Sequence, residues 1–191
     1  MKVKMLGLLA VAATAIMVFA ASASADYLST TTGGATAEPT IHAVNESTHV
    51  VLANSIANIE CQSTTEGKPN SHGTGKPVSG PISTLTFTGC TNSWHVTVNA
   101  PGTLSVKANG VNHGGALTSN GANVTTTRFG VTCNYETSNT AIGTVTGGSP
   151  ATLHIEASIP IAAGSSFLCG SGNAKWEGAY VTTSALYVNA S

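Results

Sequence analysis

The sequence predicts an all-β protein: a β-sandwich, Ig-like or jelly-roll in its connections, of about nine to eleven strands behind a cleaved signal peptide. Three observations predict it. From Thr40 onward apolar and polar residues alternate with period two, the repeat of a strand with one buried face. Turn-forming pairs punctuate that alternation: Pro-Gly at 101, Asn-Gly at 109 and 120, Gly-Gly at 114 and 147. Beyond the N-terminal segment no long stretch combines helical periodicity with capping residues. An up-and-down barrel fits the same alternation and is the alternative architecture.

The N-terminus reads as an export signal. Lys2 and Lys4 precede an apolar run at 6–20, and the small residues at 21–25 (ASASA) provide a cleavage site. Residues 1–25 are therefore expected to be a signal peptide removed after Ala25. No cysteine lies near that point, so a lipoprotein is excluded, and no second long apolar run follows, so no transmembrane anchor is expected in the mature chain. An outer-membrane barrel is disfavoured too, because the chain lacks aromatic girdles and ends Val-Asn-Ala-Ser.

Lys2 and Lys4 are the only charges in residues 1–25, so removing them leaves 5 Lys+Arg against 8 Asp+Glu, a net charge of −3. That balance gives no electrostatic footing for nucleic acid. Only 8% of residues are charged, so solubility must rest on Thr, Ser, Asn and backbone groups, as in extracellular β-proteins; disorder would bring high net charge and few β-branched residues instead. The mature part is long enough for one core.

Residues 26–40 (DYLSTTTGGATAEPT) read as a flexible, exposed arm, and 41–191 as a single disulfide-bonded domain. THVVLA and SIANIEC open the strand pattern. The polar stretch 66–80 (EGKPNSHGTGKPVSG), with two Lys-Pro pairs and four glycines, reads as a long loop. STLTFTG alternates Leu85 and Phe87 against threonines. SWHVTVNA sets Trp94, Val96 and Val98 against His95, Thr97 and Asn99, and GTLSVKA sets Leu104 and Val106 against Ser105 and Lys107. GANVTTT, RFGVTCNY, AIGTVTG, ATLHIEA, KWEGAYVTT and ALYV continue to the C-terminus.

Cys61, Cys90, Cys133 and Cys169 form an even set in an exported chain, which reads as two disulfides. Cys61–Cys90 with Cys133–Cys169 is favoured, because each half shows a strand ending in cysteine, a Gly-rich excursion, a Ser-Pro-led strand and a second cysteine. No C-x-x-C pair occurs, so no metal site is expected.

Candidate chemistry is sparse, and no catalytic residue and no cofactor is assigned. Ser171 in CGSGN lacks the flanking spacing of a nucleophile elbow and reads as a turn beside Cys169. The six histidines form no ligand motif, and His95 and His154 are expected to face outward. Glu60, Glu136, Glu156 and Glu177 are the strand-borne acids available for a glycosidase pair, which needs carboxyls about 5–10 Å apart; the last two read as members of a solvated face. Trp94, Trp176, Tyr180 and Tyr187 are the aromatics available for a ligand platform. Trp176 and Tyr180 share one strand face and are the candidate ligand contacts if that face is not core.

The segment GTVTGGSPATLHIEASIPIAAGSSFLCGSGNAKWEGAYVTTSALYV resembles the C-terminal half of small secreted bacterial β-proteins of uncertain role, in which a GG-x-PATL-x-I-x-A strand precedes G-x-x-F-LC and a W-x-G-x-Y-x-V strand. STLTFTGC is similar to their first half. A more distant resemblance is to the secreted activator-of-alkane-oxidation family, which implies an extracellular or cell-surface accessory role and carries no active-site residue onto this chain. The expected function is that of a secreted, non-enzymatic cell-surface or matrix protein that self-assembles through Thr/Val-rich edge strands and the free arm into a homo-oligomer or surface polymer. The alternative is a module binding a glycan or an apolar ligand, and a hydrolase comes third.

Overall fold

The computed structural model describes residues 25–37, 39–46, 49–74 and 76–190. Apart from Ala25, the expected signal peptide lies outside the described residues.

The described residues are almost wholly strand. The first part of the chain forms β1 (Ala25–Ser29), β2 (Ile41–Asn45), β3 (Val50–Asn54), β4 (Ala57–Gly67), β5 (Ser71–Thr74) and β6 (Lys76–Thr88). The middle forms β7 (His95–Ala100), β8 (Thr103–Ala108), β9 (Gly115–Asn120), β10 (Asn123–Arg128) and β11 (Val131–Glu136). The last part forms β12 (Thr140–Thr146), β13 (Thr152–Ile159), β14 (Ala174–Thr182) and β15 (Tyr187–Ala190).

The all-β expectation holds, but the sandwich does not form. β4, β6, β8, β9, β12, β13 and β14 pair antiparallel in chain order, and β14 then returns to β2 and β3, which pair with β4. The result is a closed, eight-stave, up-and-down barrel. β2 and β3 share the eighth stave. Thr182 to Tyr180 of β14 face Ala43 to Asn45, while Glu177 to Lys175 face Val51 to Ala53. At the break between them the Asn45 side chain accepts the Ser63 N–H at 2.8 Å, replacing a ladder bond. Closure removes the sheet edges that a sandwich leaves open.

The stretch expected to be a loop at 66–80 instead completes β4, forms β5 and begins β6. Proline and glycine mark breaks only when no partner strand is at hand, and here Val78 to Pro81 pair with Val106 to Thr103 of β8. Pro81 lacks a donor but its carbonyl still accepts from Lys68 N at 3.3 Å. The arm expected at 26–40 is likewise not free at its start. β1 pairs with β15 and with β5, and the Asp26 carboxylate accepts the Ala108 N–H at 3.1 Å. A further difference lies at RFGVTC, where Phe129 and Gly130 both have positive φ and turn β10 into β11.

Side chains that point into the barrel are apolar: Leu153, Ile155, Ala157 and Ile159 of β13 are buried, while His154, Glu156 and Ser158 between them are exposed. This is the reverse of a membrane barrel, whose outer face is the apolar one. Two glycines serve the packing. A Cβ at Gly178 would lie 2.6 Å from Val50 Cγ1, so β14 leaves room for β3's valine. Gly143, at φ 144°, sits at the register shift of β12, where a Cβ would collide with the His154 carbonyl.

Both mouths are covered. The terminal strands close one: Leu28 of β1, Val188 of β15 and Leu186 just before β15 are buried against the barrel interior. The other lies under a separate sheet ordered β11-β10-β7, formed by insertions after β6 and β9. Its inner face carries Val96, Val98, Val124, Thr126, Cys133 and Tyr135, matched in register. Its outer face is a hydroxyl–amide ladder, with Asn99 donating to Asn123 and Thr125 and Thr125 donating to Asn134, each at 2.7 Å. Such ladders supply the polar surface that the few charges cannot. Among the described residues no helix is long and apolar enough to cross a membrane.

The disulfides are Cys61–Cys90 and Cys133–Cys169, the favoured connectivity, and no cysteine is free. The first ties β4 to the end of β6. The second ties β11 to the 3-10 turn Phe167–Cys169. Such bonds fit an oxidising compartment.

Candidate functional site

Trp176 and Tyr180 lie on the inner face of β14, so the face they share is core rather than an exposed platform. Successive side chains of the strand alternate faces, so these two point at the barrel axis while Lys175 and Glu177, in the alternate register, form an ion pair outside. Trp176 packs edge-on between Phe87 (centroids 6.3 Å apart, 68°) and Tyr180 (6.4 Å, 89°). The Tyr180 hydroxyl donates to Ser63 Oγ at 2.9 Å inside the barrel wall. Burial pushes the Tyr180 phenol up to about 12, against a smaller opposing pull from the Ser63 hydroxyl and the Trp176 indole.

That shift has a direct consequence for stability. An unfolded tyrosine ionises near pH 10, while folded Tyr180 holds its proton, so the native state binds more protons between these values. Its contribution is complete below pH 10 and is lost as pH rises toward 12. The expected loss is about 3 kcal/mol. Urea unfolding at stepped pH should show this fall, and Tyr180→Phe should flatten it; an equally steep fall in the variant would assign the alkaline lability elsewhere.

Along the axis the interior holds three apolar cavities. The largest, of about 80 Å³, lies at the chain-end mouth between Ala43, Val78, Val106, Val145, Leu153 and Val188. The middle one, about 30 Å³, is bounded by Ile82, Ile142, Ile155, Trp176 and Tyr180. The third, about 40 Å³, lies beneath the three-stranded sheet. Leu104, Leu117 and Leu153 line both the first and the second, while Leu85 and Trp176 line both the second and the third. The three form a column divided only by side chains.

The third chamber differs in chemistry. Three residues that border it, Trp176, Thr126 and Tyr135, have side-chain polar atoms (Nε1, Oγ1 and the hydroxyl) that are buried in the wall without hydrogen-bond partners. Burial raises the Tyr135 phenol, and the nearby Asn54 side chain eases it without reaching hydrogen-bond geometry. Thr126 and Tyr135 come from the β10–β11 hairpin, and neither stood out in the sequence. Tyr135 was readable only as the neighbour, two residues on, of an inward cysteine.

The remaining candidates do not gather. Ser171 is exposed in the turn after Cys169. His95 and His154 are exposed, as the alternation predicts. Glu156 and Glu177 face one another across β13 and β14 on the outer wall, and none of the three cavities includes either. Glu60 and Glu136 are exposed on other strands. Trp94 is buried under the small sheet, while Tyr187 stacks edge-on against His113 at 5.9 Å beside the chain-end mouth.

Comparison with known protein families, with curated proteins and with solved structures gives no match to this chain.

Proposed function

We propose that the protein is exported and that its barrel takes up a small apolar molecule into the interior column. The observation that carries this reading is the 80 Å³ cavity at the chain-end mouth, lined almost wholly by apolar side chains and continued along the axis by two smaller apolar cavities. A well-packed core of this size would gain stability by filling that space, at about 24 cal/mol per Å³, so an apolar ligand has a favourable place to go. Export is supported by the signal-like N-terminus and by two disulfides. A thermal melt of the mature protein against a panel of short alkanes and cycloalkanes tests the reading. The expected result is a rise of a few degrees with molecules of about six carbons and none with sugars; a melting point indifferent to every hydrocarbon would remove the reading.

A second reading, a surface protein that self-associates, retains one observation. Phe129 and Phe167 are 87% and 88% exposed, with Leu168 and Ile56 also outside. They gather at one end, because Ser55 Oγ bonds the Cys169 carbonyl at 2.7 Å and Ser166 N bonds Thr132 O at 2.8 Å. The paired β1 and the closed barrel withdraw most of the strand edges on which this reading first rested, leaving β15 and β7 with one partner strand each among the described residues. Sedimentation of Phe129→Ser and Phe167→Ser proteins beside the parent would decide it, a monomeric parent at high concentration counting against association.

A further inference from the structure

The hairpin tip between β10 and β11 carries a residue that its backbone does not favour. Arg128 pairs with Val131, so Phe129 and Gly130 alone make the turn, at φ 48° and 79°. A two-residue turn with both φ positive is filled without strain by Asn-Gly or Gly-Gly, and a bulky side chain at its first position is costly. Phe129 adds nothing to the core, since 87% of it is exposed. Phe167, 88% exposed, shares that end of the molecule with the half-exposed Leu168 and Ile56. Ser55 Oγ on the Cys169 carbonyl, Ser166 N–H on the Thr132 carbonyl and the Cys133–Cys169 bond hold these loops together. Arg128 brings a positive charge to the same end. Its guanidinium stands 4.5 Å over the Phe129 ring and has no hydrogen bond or ion pair among the described residues. Carboxylates lie farther back: Glu136 faces Asn123 at the opposite end of β11, and Glu60 and Glu177 both face Val51. Lys175, facing Ala53, is nearer than either to the turn that carries Ile56.

We propose that this end docks on a lipid bilayer, with Phe129 and Phe167 among the acyl chains and Arg128 at the level of the headgroup phosphates. The proposal assigns to lipid the side chains that self-association would otherwise use, and three observations favour lipid over a second copy of the chain. The two phenyls stand almost clear of the protein, so nothing around them supplies the packed surface of a protein interface, whereas lipid moulds itself to a protruding ring. The area is also small. Wholly covered, the four apolar side chains of two copies would bury roughly 1,000 Å², short of the ~1,200 Å² at which stable interfaces begin. Finally, a symmetric dimer through this end would bring two unpaired Arg128 side chains together, while a bilayer offers each one phosphate above an apolar layer. Loops already tied by a disulfide lose little freedom on docking. Docking stands apart from the carrier reading, because neither Arg128 nor any of the four apolar side chains lines a barrel cavity.

Flotation of the mature, disulfide-bonded protein with vesicles tests it, one set made of phosphatidylcholine and one of phosphatidylcholine and phosphatidylglycerol in equal parts. The expected result is that the protein rises with both. Phe129→Asn, which suits the turn, should weaken binding to both sets by about tenfold while the melting point stays level or rises. Phe167→Ser should weaken binding to a similar extent. Arg128→Gln should lower the ratio of anionic to zwitterionic binding by about fivefold, and an unchanged ratio would contradict the phosphate contact. Parent protein that stays in the aqueous phase at saturating lipid overturns the proposal, and so does equal lipid binding by the parent and both phenylalanine variants. A parent that sediments as a dimer, is made monomeric by Phe129→Asn and ignores lipid would give this end to a second copy instead. The rise in melting point with hydrocarbon should persist in Phe129→Asn. If that rise is seen and flotation fails, docking is wrong and the carrier reading stands.

Discussion

Replacing Cys133 and Cys169 together by alanine is expected to lower the unfolding free energy by about 4 kcal/mol. The bond closes a loop with a sequence separation of 36, and restraint of the unfolded chain over such a loop gives roughly that figure. Both cysteines are buried, at 0% and 1% exposure, so the variant also loses packing. The damage should be local in the folded state. Segment 160–166 covers the outer edge of β11 through Glu136 N to Pro160 O, Ala162 N to Asn134 O and Ser166 N to Thr132 O, at 2.7 to 3.1 Å. Without the disulfide that cover opens first, so amide exchange should quicken in β10 and β11 while the staves β12 to β14 keep their protection. Urea unfolding gives the magnitude and exchange gives the location. An unchanged midpoint, or exchange that quickens evenly around the barrel, would show that the bond does not hold the small sheet over the mouth.

The second large effect concerns the main cavity. Ala43 is fully buried on the inner face of β2 and borders the 80 Å³ space. Ala43→Leu places three more carbons there, and at about 0.8 kcal/mol per buried methylene the protein should gain up to about 2 kcal/mol after some loss to imperfect fit. The same change should weaken hydrocarbon binding at least about tenfold, because plug and ligand compete for one volume. Val145→Leu, from β12 on the same cavity, is the companion variant should the first overpack. Chemical unfolding and hydrocarbon titration check the pair. A variant that is more stable and still binds as the parent does would place the ligand outside this cavity.

Much of the fold was legible because strands write their pattern locally. Trp94, Val96 and Val98 against His95, Thr97 and Asn99 is the inward and outward division of β7, and the cysteine pairing followed from two similar halves. Closure was not legible. It depends on β14 meeting β2 and β3, whose residues are more than a hundred positions away, and the period-two pattern of a barrel stave equals that of a sandwich strand. The prolines and glycines of 66–80 misled for a related reason: turn chemistry is a local preference, and a pairing partner brought in from β8 overrides it. The candidate site was half legible. Trp176 and Tyr180 were known to share a face, and only closure decided that this face looks inward. The place of Thr126 and Tyr135 beneath the small sheet was not legible, since it comes from an inserted hairpin folded over a mouth the sequence does not announce.

The central claim is that an apolar molecule occupies the barrel interior. Methyl-labelled mature protein with n-hexane, examined for intermolecular nuclear Overhauser effects, tests it most directly. The account predicts contacts from hexane to the methyls of Leu104, Leu117 and Leu153, which border both the chain-end and the middle cavities. Contacts confined to the exposed Ile56 and Leu168, or none at saturating hexane, would contradict it.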